Sequence, residues 1–393
     1  MNLSDASPAG PAAPVAAAVG GRQPRLLLLI TSLGRGGAER QIVDLTARFR
    51  RRGWAVAVVS MLEPLDHMDE LAAAGAEVVT LNMSRARPTP GALMQYVRFV
   101  RKWKPDVIHS HMVHANLLAR VGRIFNWSVP VVCTVHNVNE GPRWREIAYR
   151  LTDRAASRTT AVSSVIAERY VEVHASPKGR IFAVPNGIDL AGEEVDPATR
   201  AAARAELGGS DGFVWICVGR LVPEKGHAML VEALDVVRKE HPEARLAIVG
   251  YGMEEAHVAQ VVAERGLGSV VYQLGERHDV AALLAASDAF VMASHWEGLP
   301  MVLLEAGSQA LPIVSTDVGG NRDIARADLG AILCEPTVES ISAAMIKLMD
   351  MTPEERATIG TALQANVRAN FDLERVTDRW EEIYGEVIRP RKA

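Results

Sequence analysis

Glu297 and Glu305, separated by seven residues within the run Ser294–Asp323, are the side chains whose type and spacing most invite a chemical reading. The apolar run Asp288–Met292 reads as a buried strand. Gly298 and Pro300 mark a turn after it, and Pro300 suits the first position of a helix over Met301–Gln309. A helix starting there points unpaired N–H groups and its positive dipole end into the crevice at the strand's carboxyl end. Gly298, Leu299, Pro300, Met301 and Val302 would then cradle an anion. Glu305, more than a turn inside the helix, could accept two hydrogen bonds from a vicinal diol, and Glu297 would lie nearer a reacting sugar. Read plainly, Glu305 is a surface helix residue and Glu297 an ordinary loop acid.

Other candidates also follow apolar runs. The first run ends in Thr31–Arg40, where Gly34, Gly36 and Gly37 would let backbone approach a ligand or simply close a tight turn. His136 ends the run before Asn137; a neutral histidine there could bond a sugar hydroxyl or a phosphate oxygen, or be structural. His109, His111 and His114 cluster, but no acid or thiol lies close in sequence, so loop packing is expected rather than metal binding. Arg220 and Lys225, in Gly219–Gly226, can converge on a diphosphate, with Glu224 orienting Lys225; the alternative is two solvent-facing cations. Gly250 and Gly252 would permit a close backbone approach.

These positions need a scaffold. In the first half, strands are predicted over Arg25–Ile30, Ala55–Ser60, Glu77–Leu81, Asp106–His109, Val129–Thr134, Arg158–Ala161 and Arg180–Val184. In the second half they are predicted over Val214–Val218, Arg245–Val249, Val270–Leu274, Ala289–Met292, Pro312–Ser315 and Ala331–Cys334. Amphipathic segments such as Ala38–Arg50, Leu93–Trp103 and Trp144–Ala156 alternate with them. Continuously apolar strands separated by helices imply parallel sheets covered on both faces, hence an α/β fold of two doubly wound, Rossmann-like domains. Ligands of such folds bind at strand carboxyl ends, and here a cleft between the domains is the expected place. The expected division is a disordered tail 1–24, a first domain 25–190, a linker 191–212, a second domain 213–374 and a final helical segment 375–393.

The chain has 393 residues and 48% hydrophobic content, enough for two cores. Three cysteines, far apart, argue for a reducing compartment without disulfides or a zinc site. Residues 1–190 carry 24 Lys and Arg against 15 Asp and Glu, a net +9; residues 191–393 carry 19 against 32, a net −13. The basic half is therefore expected to face something anionic. No segment reads as a signal peptide or a membrane span, so a cytoplasmic protein is expected, peripheral to the membrane at most.

The segment around EGLPMVLLEA resembles the family 4 glycosyltransferases, retaining enzymes with the GT-B fold, and the resemblance runs from Leu26 to about Tyr384. It implies that GGAER is a glycine loop facing the donor and that His136 contacts the transferred sugar. Arg220 and Lys225 match the family's GR-x3-KG loop on the diphosphate, and Leu274–Arg277 looks like the nucleobase loop, which places Arg277 among the donor-binding residues. The final helix is expected to cross back to the first domain. The activity implied is retaining transfer from a UDP- or GDP-sugar to an acceptor hydroxyl, with His136, Glu297, Arg220 and Lys225 carrying the chemistry. GGAER and TVHN look most like enzymes of bacterial cell-surface polysaccharide assembly, which implies a saccharide or polyprenyl-linked acceptor. The chain contains no D-x-D triplet, and no metal or other cofactor is called for beyond the nucleotide-sugar co-substrate. Nucleic acid is not an expected partner.

Two other readings stay open: a nucleotide-sugar-binding protein without transfer activity, and another GT-B enzyme such as a sugar-nucleotide 2-epimerase. The segment Leu93–Lys104 also reads two ways. Leu93, Val97, Val100 and Trp103 form either a plain core-facing stripe, or part of a basic surface with Arg98, Arg101, Lys102 and Lys104 that rests on an anionic cytoplasmic leaflet.

Overall fold

A computed structural model describes residues 19, 21–34, 36–63, 66–83, 89–139, 141–191, 194–209 and 212–388. Most of the tail expected over 1–24 lies outside these residues. The chain forms two compact units: the first runs to Gly187 and resumes at Leu373, and the second spans Ile188–Asp372.

The first unit is built on seven parallel strands: β1 (Arg25–Ile30), β2 (Ala55–Leu62), β3 (Glu77–Met83), β4 (Val107–His111), β5 (Val131–Val135), β6 (Arg158–Ala161) and β7 (Ile181–Ala183). Their spatial order is β3-β2-β1-β4-β5-β6-β7. The second unit has six parallel strands: β8 (Phe213–Val218), β9 (Ala244–Val249), β10 (Val271–Gly275), β11 (Ala289–Met292), β12 (Ile313–Thr316) and β13 (Ile332–Cys334), ordered β10-β9-β8-β11-β12-β13. The inner strands are buried along most or all of their length, as a sheet covered by helices on two sides requires, while the edge strands β3, β7, β10 and β13 are partly exposed. Their ends lie within one or two residues of the predicted positions.

In each unit the order reverses once, between β1 and β4 and between β8 and β11. Loops leaving the carboxyl ends of such a pair diverge and open a crevice, where ligands of doubly wound sheets bind.

The final helix, Leu373–Val387, packs in the first unit. Val376, Trp380, Ile383 and Tyr384 are buried with Leu26, Leu28, Phe49 and Trp54. Arg52 binds Glu374 at 2.7 Å, Asp378 at 2.6 Å and Glu381 at 3.0 Å. Arg48, buried on the helix Gly37–Arg51, also binds Glu374, at 2.8 Å, so that helix and Arg52 just after it receive the final helix's acids beside its apolar face.

Residues 191–212, expected as a linker, count with the second unit. Their helix Pro197–Glu206 is held there by Arg204, which donates to Ala286 O and Asp288 Oδ2 at 2.9 and 2.8 Å. The segment expected as one helix over Trp144–Ala156 is helical over Trp144–Thr152 and tightens to a 3-10 turn at Asp153–Ala155. Val97, Val100 and Trp103 face the core, with Leu93 partly buried. All three cysteines are free and buried. Among the described residues, no helix is long and apolar enough to cross a membrane.

Candidate active site

In the second unit, the loops after β8 and β11 meet at the strand reversal. Lys225 Nζ lies 2.5 Å from Glu297 Oε1, with the two side chains 21% and 9% exposed. Ser294, itself buried, donates to the same carboxylate oxygen at 2.7 Å. Glu297, rather than the neighbouring Glu224, therefore orients Lys225. Glu224 acts through its carbonyl, which accepts from His295 N at 2.8 Å. A charge pair this well enclosed fixes a long lysine chain that would otherwise be mobile, leaving its remaining N–H groups to serve an anion. Arg220 is exposed in the same loop.

The loop carrying Glu297 is buttressed from the segment after β12. Thr316 Oγ1 donates to Ser294 O at 2.7 Å, and Gly320 N donates to Gly298 O at 2.9 Å. Gly319 has φ 53°, and a Cβ there would lie 1.9 Å from Glu297 O. Only glycine permits both the left-handed backbone and that approach. The residues bracing Glu297 were missed from sequence; the Gly-Gly pair after an apolar strand is the one signal that marks them.

Leu299 and Pro300 are buried, and Pro300 takes the cap position instead of the first helical one, so the helix is Met301–Ser308. No side chain caps it, which leaves the cradle Gly298–Val302 free of a competing acceptor. Glu305 is partly buried on this helix. Burial pushes its carboxyl up to about 6, and among the described residues no cation offsets it.

Gly250 and Gly252 bring the loops together rather than leaving open space. A Cβ on Gly250 would sit 1.9 Å from Gly219 O, and one on Gly252 would sit 2.3 Å from Leu221 O. Backbone bonds Gly219 N to Val249 O, Leu221 N to Tyr251 O and Gly250 N to Gly275 O, at 2.9, 2.9 and 2.7 Å, sew the loops after β8, β9 and β10 into one platform. Arg277, expected among the donor-binding residues, binds Glu206 at 2.6 Å and Asp279 at 2.7 Å, so its guanidinium ties its loop to the end of the helix Pro197–Glu206.

In the first unit, Gly36 caps the helix Gly37–Arg51 in an extended conformation, so these glycines sit at a strand-to-helix turn as expected. His136 directly follows β5 and is buried, sharing a 3.0 Å hydrogen bond between its Nε2 and His111 Nδ1. Burial lowers its pKa to about 4. It is therefore an uncharged hydrogen-bonding group at neutral pH, suited to a hydroxyl rather than to proton donation.

The other histidines disperse into separate roles. His109 bonds Tyr384 OH and Thr134 Oγ1, each at 2.7 Å, and so ties the final helix to β5. His114 lies 3.3 Å from Arg145. Both line a cavity of about 350 Å3, together with Met112, Val113, Asn137, Asn139 and Gly141. Asn137, Asn139 and Arg145 were not singled out from sequence, because lone amides and an arginine in a loop carry no spacing signal.

Comparison with known proteins divides the chain much as the units do. Residues 35–191 match the family described as Glycosyltransferase Family 4, and residues 200–364 match Glycosyl transferases group 1. An Escherichia coli UDP-Gal:alpha-D-GlcNAc-diphosphoundecaprenol alpha-1,3-galactosyltransferase is 27% identical over 76% of this chain and 79% of its own. A D-inositol 3-phosphate glycosyltransferase of Geodermatophilus obscurus is 28% identical over 87% of this chain and 83% of its own. Among solved structures, Anabaena HepE in complex with UDP and glucose superposes with a TM-score of 0.82, covering 93% of this chain and 100% of that one at 21% identity, a likeness of fold. Two doubly wound units, a braced lysine–glutamate pair at a strand reversal and both family matches lead to one conclusion: the chain belongs to the family 4 glycosyltransferases and is a glycosyltransferase of GT-B fold.

Proposed function

We propose that this glycosyltransferase moves a sugar, with retention of configuration, from a nucleoside diphosphate donor to a hydroxyl of a lipid-linked saccharide. The observation that carries the donor reading is the arrangement in the second unit. An uncapped helix start follows the Lys225–Glu297 pair, and a carboxylate without a cation, Glu305, lies one turn inside that helix. Phosphate oxygens find Arg220, Lys225 and the N–H groups of Gly298, Leu299, Met301 and Val302, while a ribose diol would supply Glu305 with the two donors that its burial leaves wanting. Uridine is the base we favour, since the galactosyltransferase relative is named for UDP-Gal and the similar solved structure holds UDP.

Charge develops on phosphate oxygen as the glycosidic bond breaks. Fixed donors aimed at that oxygen stabilise the transition state more than the ground state. Arg220 and Lys225 take this role, and Glu297 holds Lys225 in place. The acceptor hydroxyl attacks C1 from the face that the diphosphate leaves, and its proton passes to the departing phosphate oxygen. In the first unit, His136 is held neutral and offers a hydrogen bond to a sugar hydroxyl. The galactosyltransferase relative's name specifies a diphosphoundecaprenol-linked acceptor, which supports a lipid-linked acceptor here. No metal takes part in this scheme.

The test is incubation with labelled UDP-sugars and a diphosphoprenol-linked saccharide, with the product's anomeric configuration read by NMR. An α-linked product from an α-linked donor is expected. Inversion would overturn the retaining scheme, and an epimerised donor would overturn transfer itself.

A further inference from the structure

One outer face of the first unit combines large apolar side chains with cations and almost no acid. In the helix Trp144–Thr152, Trp144, Ile147 and Leu151 recur at spacings of three and four and so share one helix face. They are 53%, 57% and 79% exposed. Arg143, Arg150 and Arg154 are exposed along the same segment. The neighbouring turn repeats the combination, with Ile124 68% and Trp127 63% exposed.

Two hydrogen bonds tie these elements together. Arg123 Nη1 donates to Ala155 O at 2.7 Å, and Arg101 Nη2 donates to Phe125 O at 3.2 Å. The second bond brings in the helix Pro90–Trp103, whose Arg98, Arg101 and Lys102 are exposed. The segments 90–104, 113–128 and 141–157 contain only two acids between them, Glu146 and Asp153. Glu146 is paired with Arg169, and Asp153 is buried against Arg180 and Ser176.

An isolated exposed leucine needs no explanation. Three large apolar residues on one helix face, with tryptophan at its start and arginines alongside, have the composition of a helix that lies in a membrane interface. A second copy of the chain fits poorly, because a symmetric contact would set the same arginines against each other. Nucleic acid would answer the charge and leave the apolar stripe in water.

We infer that this face docks on an anionic lipid bilayer, with Trp144, Ile147 and Leu151 entering the headgroup–acyl boundary and the arginines meeting lipid phosphates. The core-facing stripe of the helix Pro90–Trp103 takes no part; only its basic surface does. This deepens the lipid-linked reading of the acceptor, yet it rests on residues outside the donor site, so the two can fail separately.

The test is sedimentation of the full chain with vesicles of phosphatidylcholine alone or mixed with phosphatidylglycerol. Pelleting is expected only with phosphatidylglycerol, fading as salt rises. The triple variant Trp144→Ser, Ile147→Ser, Leu151→Ser should weaken it by about tenfold or more, and the double variant Arg150→Gln, Arg154→Gln by about tenfold. Both should keep wild-type turnover on a water-soluble acceptor. Trp144→Phe, mild enough to fold, should diminish a blue shift in tryptophan emission that wild type shows with these vesicles. Failure of wild type to pellet at low salt, an unshifted emission, or variants that bind like wild type would overturn the inference. So would a lipid-free dimer that the triple variant abolishes.

Discussion

Burial without a cation lifts the Glu305 carboxyl to about 6, and that shift has a consequence for the free protein. An acid whose folded pKa is raised disfavours the fold when it ionises. The cost is absent below about pH 4.5, grows to pH 6 and is full above it, amounting to about 2 kcal/mol. Glu305→Gln should therefore raise the unfolding temperature of the free enzyme at pH 8 and leave it unchanged at pH 4; equal effects at both would show that the carboxyl is not desolvated. Lys225 tests the other half of the site. Lys225→Ala should lower the turnover rate by about 10²–10³ while nucleoside binding holds, and activity should persist in a chelator. Kinetics with and without added Mg²⁺ check both, and a demand for metal would contradict the scheme. Glu297, Glu305, Arg220 and Lys225 stand out in the sequence because EGLPMVLLEA and GR-x3-KG resemble family segments, and the structure brings Lys225 and Glu297 together. The Lys225–Glu297 contact was not legible, because it joins residues 72 apart, and sequence favoured Glu224, which is adjacent.

At the scale of elements, strands were easiest to read, since burial on both faces leaves continuous apolar runs such as Leu26–Ile30 and Phe290–Met292. Loops were hardest. The platform under the site is joined by backbone bonds, as between Gly219 and Val249, which any side chain would allow. Gly250 and Gly319 left a trace only because a Cβ cannot fit. The helix Leu373–Val387 depends on Trp380, which packs near His109 and Tyr384 in the first core. Trp380→Ala should cost about 3–5 kcal/mol and loosen the first unit. Hydrogen exchange should show lost protection in β1 and β4 with β8 and β11 unaffected. Uniform loss in both units would mean that the helix does not belong to one core alone.

For the whole molecule, pH should act unevenly on the two units. His109, His111 and His136 are buried in the first unit, with pKa values lowered chiefly by desolvation, while the second has His227, lowered to about 4. A histidine buried neutral contributes stability above its unfolded pKa near 6.5 and loses it as pH falls. Each contributes up to about 1.4 kcal/mol per pH unit in that window. Between pH 6.5 and 4 the first unit should open more readily than the second, as hydrogen exchange would show; equal opening would contradict it. The two-unit plan was legible from alternating strands and helices, whereas the exact crossings at Gly187 and Leu373 follow from packing that no local pattern encodes. The central claim is that the second unit holds a nucleoside diphosphate through Glu305 and its neighbours. Calorimetric titration of UDP and GDP into wild type and Glu305→Ala tests it most directly. The account predicts that the tighter nucleotide loses ten- to a hundredfold in affinity, roughly one hydrogen bond to a charged group. Unchanged affinity in the variant, or no binding of either nucleotide to wild type, would contradict it.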